Sequence, residues 1–253
     1  MCNKCLTNIT RRNQIFLARE RQMQGAIFVG LISCAERGLA LIEANLEFQL
    51  LTGLKNETEY SIWSGVIGNL VLPRRICEDM GCSDKMKSFL IEILAPVASK
   101  IGNKVAGEDA SRSLLRGMIL RVLSSAGHQE TINYGSKLME DYLESGTPID
   151  VDLVSFAYLN HGKNGGEKAF EQLKMLHQKT KLAEEKNRLE SALANVASLE
   201  TMQAAVEYCL SDHVRDQDKD WMLTACSRNG KEYREKILDL TFQKMDHFKE
   251  ADD

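Results

Sequence analysis

Apolar residues return at steps of three and four through most of the chain, and nowhere does a two-residue alternation run long enough to suggest a strand. The stretch LKNETEYSIW (54–63) shows how one element begins. Tyr60, Trp63, Ile67, Leu70 and Val71 follow at helical spacing, Asn56 stands where an N-cap belongs, and Glu59, three residues on, can reach back to the cap's own N–H. The spacing predicts helices over 10–23, 26–53, 57–79, 84–101, 109–126, 129–145, 151–161, 165–178, 181–195, 199–210, 216–226 and 230–249, the second long enough to be two.

The breaks have physical causes. Gly81 and Ser83 separate two helices, with Ser83 placed as an N-cap. Gly127 stops a helix after Ala126. SGTPID (145–150) combines Gly146 with Pro148 and offers Asp150 as a cap, HGKNGG (161–166) reads as a loop, and Thr180 and Ser198 can each cap the next helix along the chain. Helix pairs recur every 35–40 residues or so without a strict sequence repeat. This predicts an all-α fold built as a HEAT-like or armadillo-like array of antiparallel helix pairs, with a compact irregular bundle as the alternative.

Composition narrows the function classes. Apolar residues make up 43% of 253, so a sizeable core can form, and only three prolines interrupt it. The net charge of −4 speaks against nucleic acid as a partner. The most apolar run, Gly25 to Ala35, is too short to span a bilayer and lacks a cleavage pattern, so the expectation is a cytoplasmic protein with no membrane partner. Seven cysteines at irregular spacing fit free thiols better than a disulfide framework.

Local catalytic constellations are missing from the spacing. The five histidines, His128, His161, His177, His213 and His247, include no pair four apart with a glutamate beside the first, which a zinc hydrolase helix needs. There is no Gly-x-Ser-x-Gly and no glycine-rich phosphate loop. Cys2 and Cys5 form a C-x-x-C pair, but no matching second pair exists and no strand precedes it, so an unstructured segment that carries two cysteines is the plainer reading. Glu184 and Glu185 sit among Lys186 and Arg188, which is the pattern of a solvated helix face.

Arg116 lies on a helix otherwise apolar at Leu114, Leu115, Met118 and Ile119, so it must snorkel or find a carboxylate. A buried strut between helices is the expectation. Arg215, Gln217 and Asp218 open a helix, where an inter-helix strut or cap is expected, and Asp216 and Asp218 suit its positive end. Tyr60 and Trp63 read as core.

Several motifs occur together in a recognisable order. NETEYSIW (56–63), DKMKSFLIEILAPVASKIG (84–102), LLRGMILRVLSSAGH (114–128), IDVDLVSFAYLNHG (149–162), EEKNRLESALA (184–194) and LSDHVRDQD (210–218) resemble the C-terminal helical domain of the zinc aminopeptidase family, the puromycin-sensitive branch above all. Val154 stands where the family usually has arginine. The resemblance covers about residues 40–250, and residues 1–25 show none of it, which implies a divergent segment over 1–25 and a helical-repeat domain over 26–253.

The resemblance implies that zinc and peptide cleavage belong to a separate thermolysin-like domain, whose His-Glu-x-x-His and Gly-x-Met-Glu-Asn motifs this chain lacks. It implies a truncated C-terminal domain that needs no cofactor of its own and is not an enzyme alone. In that family the helical domain is a concave bowl closing over the active site, so the expected role is peptide or partner binding. Arg74 and Arg75, just after Pro73 at a helix end, are the candidates to face a peptide's carboxylate, against the plainer reading of a solvent-facing basic pair. The alternatives are a subunit completing a catalytic domain on another chain, and a helical scaffold unrelated to peptidases. Exposed apolar ends would favour a homodimer.

Overall fold

The computed structural model describes residues 51–196 and 198–243. The 1–25 segment, the helix expected over 10–23, nearly all of that over 26–53, and Cys2, Cys5 and Cys34 lie outside those residues. Among the described residues every regular element is helical. In chain order the α-helices are α1 (Tyr60–Asn69), α2 (Val71–Asp79), α3 (Ser83–Ile101), α4 (Ala110–Ser125), α5 (Gln129–Ser145), α6 (Val154–Asn164), α7 (Gly166–Lys179), α8 (Ala183–Leu193), α9 (Leu199–Cys209), α10 (Asp216–Cys226) and α11 (Lys231–Gln243). Short 3-10 turns cover Leu54–Asn56 and Ser227–Asn229.

Several boundaries differ from the sequence reading, two of them for a plain local reason. The helix expected over 57–79 is two helices, because Pro73 has no N–H to give to the carbonyl of Asn69 and the chain breaks at Leu70. The loop expected over 161–166 is reduced to Gly165: α6 runs on through His161–Asn164, and Gly166, at φ 64°, starts α7.

The chain divides into two compact units. Of the described residues, the first comprises 51–76 and 92–116, the second 77–91 and 117–243 apart from 197. In the first unit the buried apolar side chains include Leu51, Trp63, Val66, Leu70, Ile93, Leu94, Val97, Ile101 and Leu115. Trp63, wholly enclosed, donates its indole N–H to the carbonyl of Glu57 at 3.0 Å, so its one polar atom is satisfied in the core.

In the second unit each helix packs on its neighbours. α6 lies against α5, α7 and α8; α7 against α8; α9 against α10; and α10 against α11. The core they share runs from Met139, Ala157 and Phe170 through Leu173, Leu189 and Leu193 to Met202, Val206, Met222 and Ile237. Glycine sets the closest approach. A methyl group built on Gly162 of α6 would lie 2.3 Å from the carbonyl oxygen of Ala192 on α8, and one on Gly135 of α5 would meet the Asn160 side chain at 2.7 Å. Asn160, itself buried, accepts from Ser124 at 2.6 Å and donates to the Ile132 carbonyl at 3.1 Å, tying α4, α5 and α6 together. Arg234 on α11 reaches Glu78 at 3.3 Å and Asp79 at 2.6 Å at the end of α2.

Candidate functional site

Helices α5, α6 and α7 enclose a cleft of about 330 Å³ lined by Ser136, Glu140, Leu143, Glu144, His161, Gly165, Lys168, Ala169 and Gln172. Its walls follow from helix periodicity. Ser136, Glu140, Leu143 and Glu144 recur at helical spacing on α5, so they share one face. The short α6–α7 junction at Gly165 then brings His161 opposite Lys168 and Gln172.

His161 is half-buried, and its Nε2 pairs with Gln172 Oε1 at 2.9 Å. Burial pushes its imidazole below the usual histidine range, against the opposing pull of Gln172, so the ring is neutral at pH 7. The cleft therefore combines an uncharged ring, two exposed carboxylates and one exposed ammonium. Those groups can orient a polar ligand.

A second histidine is locked away. His177 is wholly enclosed, with Nδ1 2.8 Å from the Tyr208 hydroxyl and Nε2 2.9 Å from Glu190 Oε1. The three side chains form one hydrogen-bonded chain, with the ring between the Glu190 carboxyl and the Tyr208 hydroxyl. Burial raises the Tyr208 phenol to about 12. This Tyr–His–Glu chain has the residue types of a proton relay, but its imidazole has no exposed surface and ties α7, α8 and α9 together.

Arg116 is buried too. Its guanidinium grips both oxygens of Glu108, at 2.5 and 2.7 Å, and donates from Nε to the carbonyl of Gly102 at 2.8 Å. Arg112 donates to the carbonyls of Lys100 and Ile101 at 3.1 and 2.9 Å, so the two arginines occupy acceptors that the end of α3 leaves open. Arg116, with Ser113 beside it, holds the Glu108 carboxyl down at about 2.

The remaining sequence candidates are dispersed. Arg74 and Arg75 lie inside α2 rather than at a helix end, Arg74 half-buried and Arg75 exposed, and neither lines the cleft. Asn56 belongs to the 3-10 turn and accepts a hydrogen bond from Lys100 instead of capping α1. Glu59 is the residue before α1, and the nearby backbone N–H groups of Thr58 and Glu59 are taken by the Glu57 carboxylate at 2.7 and 3.0 Å. Arg215 precedes α10, bonds Asp218 at 2.6 Å and reaches Asn187 of α8 at 3.1 Å, while Gln217 is exposed.

The cleft residues carry no signal in the sequence that joins them. Glu140 and Glu144 are visible as a helical pair, but only the packing of α5 on α6 brings them to His161 and Lys168. Among the described residues no three His, Cys, Asp or Glu side chains converge in a way that would hold a metal. The described residues therefore do not fit a zinc site. Among the described residues no helix is long and apolar enough to cross a membrane.

An all-helical domain with a polar cleft is the class these observations on the described residues define. The chain belongs to the ERAP1-like C-terminal domain family, which it matches over residues 39–251. It is 31% identical over 192 residues to aminopeptidase M1-A of Oryza sativa subsp. japonica, covering 72% of this chain and 22% of that protein. It is 27% identical over 195 residues to puromycin-sensitive aminopeptidase of Caenorhabditis elegans, covering 73% and 20%, and 28% identical over 165 residues to human glutamyl aminopeptidase, covering 63% and 17%. The chain thus spans about a fifth of the length of the curated relatives it matches.

Proposed function

We propose that this chain is a non-catalytic peptide-binding domain that serves proteolysis beside a metallopeptidase catalytic domain, as a HEAT-like stack that caps the substrate. The observation that supports this best is the α5–α6–α7 cleft. At about 330 Å³ it is large enough for one or two peptide side chains, and its opposed charges and neutral imidazole fit a polar peptide rather than an apolar cofactor. Arg75, exposed on α2, and Arg74 beside it remain the candidates for a peptide's carboxylate.

The test is fluorescence anisotropy with a labelled decapeptide carrying either a free or an amidated C-terminus. Saturable binding is expected, weakened by Lys168→Glu. An exposed cation contributes up to ~1 kcal/mol, so Arg75→Ala should cost roughly two- to fivefold with the free carboxylate and nothing with the amide. Absence of saturable binding would end this reading.

The alternative, a subunit that completes a catalytic domain on another chain, draws on α2. That helix buries none of its own side chains, and Val71, Leu72 and Ile76 are exposed. Co-expression with a thermolysin-like catalytic domain tests it: recovered aminoacyl hydrolysis supports the subunit reading, and two species that elute apart on size exclusion count against it.

A further inference from the structure

The end of α2 is closed by a complete pair of backbone hydrogen bonds. Gly81 takes the left-handed conformation, at φ 71°. Its N–H donates to the Glu78 carbonyl at 3.2 Å, and the next N–H, that of Cys82, donates to the Cys77 carbonyl at 2.8 Å. This is the Schellman ending, and it has a side-chain consequence: the residue that closes the outer bond faces the residue that accepts it, usually as an apolar contact. Here both are cysteines. The 2.8 Å bond between their backbones keeps the two Cα atoms roughly 5–6 Å apart, inside the span a disulfide bridges.

The two sulfurs stand in unlike surroundings. Cys82 immediately precedes α3, and its carbonyl accepts from the N–H groups of Lys85 and Met86 at 3.1 and 3.3 Å, so the residue stands at the N-terminal end of a nineteen-residue helix. Cys77 lies in the last turn of α2, where burial and the hydrogen bond to the Cys82 thiol push it up to about 11. Both are half-buried, hence within reach of small reagents. Cys209 and Cys226 are fully buried, and burial raises each to about 12.

We propose that Cys77 and Cys82 form a dithiol modification site that exchanges with low-molecular-weight disulfides of the glutathione type and closes to an intramolecular disulfide. The Cys82 thiol gives up its proton to water and attacks one sulfur of oxidised glutathione; that S–S bond breaks, a Cys82–glutathione bond forms, and the other half leaves as a thiolate that takes up a proton. The Cys77 thiol then gives up its proton to water and attacks the Cys82 sulfur, expelling the second glutathione thiolate. The protein loses two electrons and two protons, and oxidised glutathione becomes two thiols. The bridge joins the last turn of α2 to the start of α3 around Glu78 and Asp79, the two carboxylates that Arg234 holds.

The experiment is redox titration of the native chain with oxidised and reduced glutathione, followed by acid quench, alkylation under denaturing conditions and mass spectrometry. Trypsin cuts after Arg75 and Lys85, so both cysteines fall in one peptide, ICEDMGCSDK, which the disulfide makes two hydrogens lighter and leaves without alkyl groups. Further cleavage after Glu78 should yield two pieces joined only through sulfur. Oxidation of this peptide is expected while Cys209 and Cys226 stay alkylatable. Cys77→Ser should trap one glutathione on Cys82, and Cys82→Ser should slow modification at Cys77 by ~10-fold or more. A peptide that carries two alkyl groups at every ratio, or cysteines that each hold a glutathione without closing on one another, would overturn the proposal. An unchanged rate at Cys77 in Cys82→Ser would overturn the assigned order of attack.

Discussion

Replacing Gly162 by alanine sets a methyl group against the backbone of a neighbouring helix. The added carbon would stand 2.3 Å from the Ala192 carbonyl oxygen, 3.1 Å from that of Asn195 and 3.2 Å from the Ala192 carbonyl carbon. Ordinary contact begins near 3.4 Å, so α6 and α8 must part by ~1 Å in a core packed at crystal density. None of the three atoms can rotate away. Overpacking of this kind costs about 1–3 kcal/mol, and the upper part of that range applies where the obstacle is main chain. The shift also strains two cross-links beside it, Asn195 to the Leu159 carbonyl at 2.9 Å and Lys163 to the Val196 carbonyl at 3.3 Å. Against this stands the better helix propensity of alanine, at most ~1 kcal/mol. The net effect is a loss of about 1–2 kcal/mol, or a fall in Tm of roughly 2–8 °C for a domain of this size. Gly68→Ala on α1 is the internal control. It is exposed and helical, and a methyl group there meets nothing within 4 Å, so it should gain about 0.5–1 kcal/mol. Thermal and urea unfolding followed by far-ultraviolet circular dichroism read both. A Gly162→Ala protein as stable as the parent would refute the claim that backbone contact, rather than chance, places glycine at this crossing.

Trp63→Ala removes the largest wholly enclosed side chain of the first unit together with its hydrogen bond to the Glu57 carbonyl; a loss of roughly 3–5 kcal/mol is expected in urea unfolding. His177→Leu leaves Glu190 buried and unpaired and should cost about 3–5 kcal/mol, whereas the double change His177→Leu with Glu190→Met should recover most of it, which a double-mutant cycle reads directly. Glu108 is held down from 4.5 to about 2 in the folded chain, so its contribution is complete above pH 4.5 or so and fades as pH falls toward 2. The gap between Arg116→Met and the parent should therefore be wider at pH 6 than near pH 2; a constant gap across that window would show that Arg116 stabilises through its carbonyl bonds and packing rather than through the Glu108 carboxylate.

Periodicity made the helices legible because each buries one face. The repeat of Leu90, Ile93, Leu94 and Val97 places α3 within a residue of where the pattern puts it, and the same holds for α4 and α5. Breaks were harder where two signals compete. The spacing carries one helix over 57–79 through Pro73, and only the lost bond to Asn69 shows why the chain divides there. HGKNGG carries loop composition, yet Gly162 is required by a close helix crossing rather than by a turn, so α6 runs through it. Arg116 stood out as a cation on an apolar face, but its partner Glu108 sits in a stretch with no helical period and could not be named from spacing. The cleft was invisible in the sequence for the same reason: Glu144 and Lys168 are brought together by packing, and no local pattern encodes that. Cys77 and Cys82 were in plain view as a spacing of five, but the meaning of that spacing depends on the left-handed turn at Gly81.

The grip of Arg234 on Glu78 and Asp79 links positions 156 and 155 apart in the chain. A ribosome adding about 5–20 residues per second needs about 8–30 s to travel that far. For that interval the two carboxylates are already made while the guanidinium that will neutralise them is not. The last turn of α2 thus emerges early and is fastened late, and any chaperone or protease that meets the growing chain meets it with that latch open.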